Sequence, residues 1–221
     1  MGSVTLTGRT MTDTTLTLYH HPFTRAATVV WMLEELGRPY TLRYVDVQSG
    51  EQRQPEFRAI NPMGKIPVLV DGDVVVTEGA AIGLYLADRY APGVLAPALD
   101  SPARAPYLRW SLFAPSVIEP ASMAKSAGWK VPTGQAGWGD YDSVIATMES
   151  AIGDGPWLLG ENFSMADVIF GSTLRYMLRF RMIEGRPTFE QYVERLSARP
   201  AAQAADAKNA AIVAERGLAT G

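Results

Sequence analysis

The sequence contains no cysteine. Disulfides, thiolate metal sites and a cysteine nucleophile are thereby excluded, and any thiol chemistry must use a thiol carried in by a ligand. The lack of disulfides fits a reducing, cytoplasmic compartment. Histidine is nearly as scarce: two in 221 residues, adjacent at His20 and His21. Neighbours on a strand point to opposite faces, so the pair makes a poor metal site, and no metal is expected. No apolar run approaches the roughly 18–20 residues needed to span a bilayer. No concentrated Lys/Arg run exists and the formal charge is −3, so nucleic acid and anionic membrane are not expected as main partners. The opening MGSVTLTGRTMTD lacks the apolar segment of a secretory signal. Met11 fits a natural start, and residues 1–14 read as a disordered extension.

What is present is a globular composition, 47% hydrophobic and 19% charged, long enough for one or two domains. TLTLYH (15–20) alternates and reads as a strand. From Arg25 to Leu36 apolar residues recur at helical spacing, with Thr24 a candidate N-cap and Gly37 a candidate C-terminal stop. YTLRYVDV (40–47) reads as a second strand, parallel to the first through a right-handed crossover. A polar segment follows, with a short helix around 55–60. IPVLVDGDVVVTE (66–78) predicts a hairpin on an Asp-Gly turn, and GAAIGLYLADRY (79–90) a helix. This order defines an α/β thioredoxin-like unit over residues 15–90. A Pro- and Ala-rich linker covers 91–101, and an all-α unit follows from 102 to 221. Its helices are expected near 102–127, 140–153, 165–181, 189–198 and 200–214, the first bent by Pro115 and Pro120.

Several stretches together resemble the cytosolic glutathione transferases of the bacterial, theta- or beta-like type. LYHHPFTRAATVVWMLEELGRPY (18–40) is similar to that family's first strand and helix. NPMGKIPVLVDGDVVVTEGAAIGLYLADRY (61–90) resembles its glutathione-binding segment, NFSMADVIFGSTL (162–174) the start of its sixth helix, and YVERLSARPAAQAA (192–205) its seventh and eighth. The similarity runs from about Thr15 to Ala214.

The resemblance implies a set of roles, each with an ordinary alternative. Pro67 would be cis, with the backbone of Ile66 pairing with the cysteinyl part of glutathione. Spacing alone favours a trans proline opening a strand, where no ladder donor is needed. Glu78 and Gly79 would hold the γ-glutamyl ammonium and carboxylate at a helix start; Glu78 is otherwise a solvated first-turn carboxylate. Gly79 departs from the family's usual serine and removes a hydroxyl. Lys65 would meet the glycyl carboxylate, or is a surface lysine. Thr24 would hydrogen-bond the glutathione sulfur and favour its thiolate, or simply cap the helix. Tyr19 is a rival donor, His20 and His21 read as turn residues or would line the site and assist a thiolate, and Arg25 either adds positive field or is a surface arginine. Tyr107, Trp110, Phe113 and Ala114 would line a hydrophobic co-substrate pocket, or form core between the two units, and Trp129 would cover that pocket. Asp167, three residues after Ser164, reads as a structural capping-box residue.

The implied function is conjugation of the glutathione thiolate to a hydrophobic electrophile by a detoxifying homodimer. The alternatives are a non-catalytic binding or assembly protein of the same fold, or another glutathione-dependent reaction such as isomerisation, dehalogenation or peroxide reduction.

Overall fold

The computed structural model describes residues 15–153 and 155–219; the expected disorder of 1–14 lies outside them. The first half holds β1 (Leu16–His20), α1 (Ala26–Leu36), β2 (Tyr40–Tyr44), a 3-10 turn (Glu51–Arg53), α2 (Pro55–Arg58), β3 (Val68–Asp71), β4 (Val74–Thr77) and α3 (Gly79–Tyr90). The four strands form one mixed sheet in the order β2-β1-β3-β4. β1 and β2 run parallel, as a crossover through α1 requires, while β3 is antiparallel to both β1 and β4. The hairpin pairs Asp71 with Val74. Its two-residue loop is therefore Gly72-Asp73, one position beyond the expected Asp-Gly, with Gly72 at φ 60.

The period-two pattern of β1 divides the core. Leu16 and Leu18 face α1 and α3 in the main cluster, whereas Tyr19 turns to the other face and packs with Val45, Phe57 and Val68. α1 stops where Gly37 adopts φ 61 and its amide bonds the Glu34 carbonyl, as a left-handed C-terminal glycine should.

The second half is helical: α4 (Arg104–Phe113), a π-helical turn (Ala114–Ile118), α5 (Glu119–Ser126), α6 (Tyr141–Ile152), α7 (Met165–Arg179), α8 (Pro187–Ser197) and α9 (Pro200–Glu215). The bent helix expected over 102–127 is thus three pieces. The bend falls in the π turn, which contains Pro115. Proline has no amide to donate and crowds the preceding turn, so a wider turn accommodates it.

α7 is the central helix, buried along most of its length. Its start is closed by a capping box in which Asp167 accepts from the Ser164 amide (2.9 Å); the same carboxylate accepts from the Leu158 amide (2.8 Å) and the Tyr192 hydroxyl (2.8 Å). Asp167 is fully buried and its charge is satisfied internally, which is a structural role. A Cβ at Gly171 would fall on Leu196, so glycine is what lets α8 approach α7.

Part of the linker segment 91–101 is packed into the core. Leu95 and Ala96 are buried in the main core, and the Leu95 carbonyl accepts from the Met165 amide at 2.8 Å. One hydrophobic cluster runs from β1 and α1 through α7 to α9. α9 also ties back to the first half by charge: Arg199 meets Glu35 through two 2.7 Å hydrogen bonds, and Lys208 pairs with Glu34.

Candidate functional site

Sheet register assembles the site. Tyr19 pairs with Val68, and Val68 pairs with Thr77. The C-terminal end of β1, the start of β3 and the C-terminal end of β4 therefore lie side by side. The turn after β1 carries Thr24, the residues before β3 are Lys65, Ile66 and Pro67, and those after β4 are Glu78 and Gly79. Residues far apart in the chain are gathered at one end of the sheet, where the first turns of α1 and α3 also begin.

Each piece is shaped locally. The Ile66–Pro67 bond is cis. Asn61, almost fully buried, holds the preceding turn by donating from Nδ2 to the Lys65 carbonyl (2.8 Å) and accepting from the Met63 amide (3.1 Å). Lys65 itself is exposed. Glu78 is exposed and its backbone stands at φ 66, ψ 120, immediately before α3. A non-glycine residue rarely adopts positive φ, and such strain concentrates at ligand-binding positions. It ends β4 abruptly and leaves the first amides of α3 without helical acceptors, a local setting for an anion. A Cβ built at Gly79 meets nothing within 4 Å, so space lies over that helix start.

Thr24 stands one residue ahead of the position expected for it: the N-cap of α1 is Arg25. The Thr24 hydroxyl still serves the helix, accepting from the Ala26 amide (3.2 Å) while donating to the His21 carbonyl (2.9 Å). The amides of Thr24, Ala27 and Thr28 are likewise committed to carbonyls of this turn. Thr24 is half-buried, so its hydroxyl is both held and reachable.

The histidines are not open turn residues. His20 closes β1 and is fully buried; its Nε2 donates to Asn209 Oδ1 of α9 at 2.7 Å, and its Nδ1 has no hydrogen-bond partner among the described residues. Burial drives its pKa down to about 4, opposed by the Asn209 bond and assisted slightly by His21. His21 is also buried, accepts from the Phe23 amide through Nδ1, and is held below the usual histidine range by burial, against the pull of Asp46. No spacing or motif points to the long-range partner Asn209. Tyr19, the rival donor, packs edge-on against Phe57 with its hydroxyl beside Arg43. It is on the α2 face and away from the α1 start.

The co-substrate residues are divided. Tyr107 and Ala114 have no exposed area, and the Tyr107 hydroxyl is buried without a hydrogen-bond partner among the described residues. They are core, which corrects the expectation that they line a pocket: the face of α4 that carries Tyr107 and the start of the π turn that carries Ala114 both meet protein. Trp110 is nearly buried, edge-on to Phe113 and Phe170. Phe113 is partly exposed beside it. A concavity of about 370 Å3 between α4 and α6 includes Trp110 with Arg109, Thr147 and Ser150, but none of the residues at the sheet end. The apolar surface nearer Thr24 is of a different make: Phe23 in the turn itself, and Tyr176 with Phe180 at the end of α7, are all exposed. Trp129 is 62% exposed. Among the described residues no cluster of metal-ligating side chains occurs, and no helix is long and apolar enough to cross a membrane.

Two family models match this architecture in order: the glutathione S-transferase N-terminal domain over residues 14–88 and the glutathione S-transferase C-terminal domain over 132–204. Glutathione S-transferase theta-2 of Homo sapiens is 31% identical across 73% of this chain and 72% of its own length. The chain belongs to the cytosolic glutathione transferase family. Within that family, a glutathione S-transferase of Arabidopsis thaliana is 48% identical over 75 residues, 34% of this chain and 35% of the relative. The fold is shared with a glutathione transferase from Phanerochaete chrysosporium solved in complex with oxidized glutathione. That structure has a TM-score of 0.75 and 27% identity, covering 90% of this chain and 98% of the other.

Proposed function

We propose that this protein is an active glutathione transferase that joins the glutathione thiolate to a hydrophobic electrophile. The observation that carries this reading is the convergence, by sheet register, of Thr24, the 65–67 segment and Glu78-Gly79 at one end of the sheet. Glutathione offers a peptide backbone for Ile66, a carboxylate for the open amides of α3, an ammonium for Glu78 and a terminal carboxylate for Lys65. Its thiol then falls towards Thr24 at the start of α1. A free thiol has a pKa of about 8.5, and a hydrogen-bond donor at a helix N-terminus lowers it. The chain has no thiol of its own, so the sulfur nucleophile is the ligand's. It attacks the electrophilic carbon and displaces the leaving group or opens the acceptor bond. The protein contributes placement and thiolate stabilisation. Residues 15–90 act as the glutathione-binding unit, residues 102–221 supply the electrophile's surface, and the working form is a two-fold homodimer.

Calorimetric titration with glutathione, followed by turnover of an aryl halide, tests the proposal; absence of binding at millimolar glutathione contradicts it. One observation favours a second reading, a binding or assembly protein of the same fold. The Thr24 hydroxyl proton is already given to the His21 carbonyl, and Gly79 has no hydroxyl to add. Glutathione binding without turnover is the outcome that selects it.

A further inference from the structure

Arg25 is not a free surface arginine: its side chain is engaged by the helical half of the molecule. Its backbone forms the N-cap of α1, next to Thr24. Its side chain leaves the sheet-containing half of the molecule. Nη2 lies 3.1 Å from Oε1 of Glu119, the first residue of α5, and the guanidinium carbon sits 3.8 Å from the centroid of the Tyr176 ring in the last turn of α7. Tyr176 in turn packs against Phe180 with ring centroids 4.6 Å apart. The charge of Arg25 is balanced by Glu119 and its flat face is covered by an aromatic ring.

The turn that carries Thr24 keeps its own shape without Arg25. The Thr24 amide and hydroxyl both bond the His21 carbonyl, and the Phe23 amide bonds His21 Nδ1. These bonds are all local and say nothing about where the turn sits relative to the helical half. The contacts of Arg25 do, because Glu119 and Tyr176 belong to two different helices of that half. We propose that Arg25 is a positioning residue, a strap that sets the distance between the Thr24 turn and the α5–α7 surface. The proposal rests on the transferase reading above, in which the sulfur is held by one half and the electrophile by the other. Reacting atoms must be brought to about 3–3.5 Å before conjugation, so a strap across the two halves acts on the chemical step. Glutathione itself would be held by the first half alone, and its binding does not depend on the strap.

The expected signature is therefore a split. Arg25→Ala leaves the glutathione dissociation constant unchanged and lowers kcat for conjugation roughly three- to tenfold, the size of one half-exposed ion pair plus one cation–π contact. Tyr176→Leu and Glu119→Gln each give part of that loss, and adding either to Arg25→Ala gives no further loss, since all three remove the same strap. Arg25→Lys, which keeps the charge but not the flat face, recovers part of kcat. Amide hydrogen exchange on the unliganded protein reads the strap without any substrate: exchange over residues 22–28 quickens in Arg25→Ala while that of α8 does not.

Unchanged exchange overturns the strap whatever the activity. Faster exchange with unchanged kcat overturns the positioning role, and weaker glutathione binding at unchanged kcat shows instead a binding charge and overturns it too. A wild-type protein that fails to bind glutathione sinks the transferase reading and the catalytic role of Arg25 with it. The exchange experiment still decides the strap itself, so the two failures are distinguishable.

Discussion

The Thr24 hydroxyl donates to the His21 carbonyl, 2.9 Å away, inside the turn that leads into α1. A hydroxyl has one proton. To stabilise a thiolate, that proton must leave His21 and turn to the sulfur, and the β-branched threonine side chain restricts the rotation. Thr24→Ser removes the methyl group and keeps the donor. Its bound glutathione is expected to be at least as fully ionised as the wild type's, with kcat equal or up to about threefold higher, given that an off-rotamer side chain costs on the order of 0.5–1 kcal/mol. Stopped-flow conjugation with the two proteins in parallel checks this, and a lower kcat in the serine variant counts against it.

Gly79 opens α3 with empty space where a Cβ would stand, and its φ lies outside the left-handed region. Serine there is therefore unhindered, and its hydroxyl adds a donor at the proposed carboxylate position. Gly79→Ser should tighten glutathione binding by about fivefold, the value of one net hydrogen bond of about 1 kcal/mol. Calorimetry on the variant measures it directly; unchanged affinity would mean that the ligand carboxylate lies elsewhere.

Glu78 holds φ 66 without being glycine. Relieving that backbone by Glu78→Gly is expected to stabilise the fold by about 1 kcal/mol while weakening glutathione binding, because the carboxylate proposed to meet the ligand ammonium is lost. Chemical denaturation and calorimetry on the same variant should move in opposite directions. A variant that is less stable, or that binds as before, contradicts the assignment.

His20 is neutral in the fold, with its pKa lowered from 6.5 to about 4 by burial. The unfolded chain therefore takes up a proton at this residue before the folded one does. Its contribution is present in full above pH 6.5 and is lost as the pH falls from there towards 4, by roughly 3 kcal/mol in all. His20→Gln cannot titrate, and its stability should fall less steeply over that window in urea melts at several pH values. Equal slopes would show that His20 is charged or exposed in the fold.

The strands, the hairpin and the Gly37 stop were legible because they rest on local chemistry: period-two alternation, a glycine-containing turn and left-handed backbone. Asp167 was legible for the same reason, since a Ser-x-x-Asp spacing caps a helix whatever surrounds it. Tyr107 and Ala114 were not. Helical periodicity reveals which face of α4 is apolar, but an apolar face meets core and ligand alike, and only packing against the rest of the chain separates them. The π turn at 114–118 kept a helical pattern in sequence while changing its pitch. Leu95 and Ala96 sit in a Pro- and Ala-rich stretch whose composition marks a linker but does not show which of its residues the core reaches. The partners of His20 and Arg25 lie far along the chain, on α9, α5 and α7, and no spacing rule connects them.

The central claim is that Thr24 lowers the thiol pKa of bound glutathione. The measurement that tests it most directly is the ultraviolet absorbance of the bound thiolate, titrated between pH 5 and 10 in the wild type and in Thr24→Ala, each saturated with glutathione. A lost hydrogen bond to a charged sulfur corresponds to about one to two pKa units. The wild-type thiol is expected to ionise well below the free value of about 8.5, and the alanine variant to bind still but ionise about one to two units higher. Identical titrations in the two proteins would contradict it, and would leave Thr24 as no more than the residue that braces the start of α1.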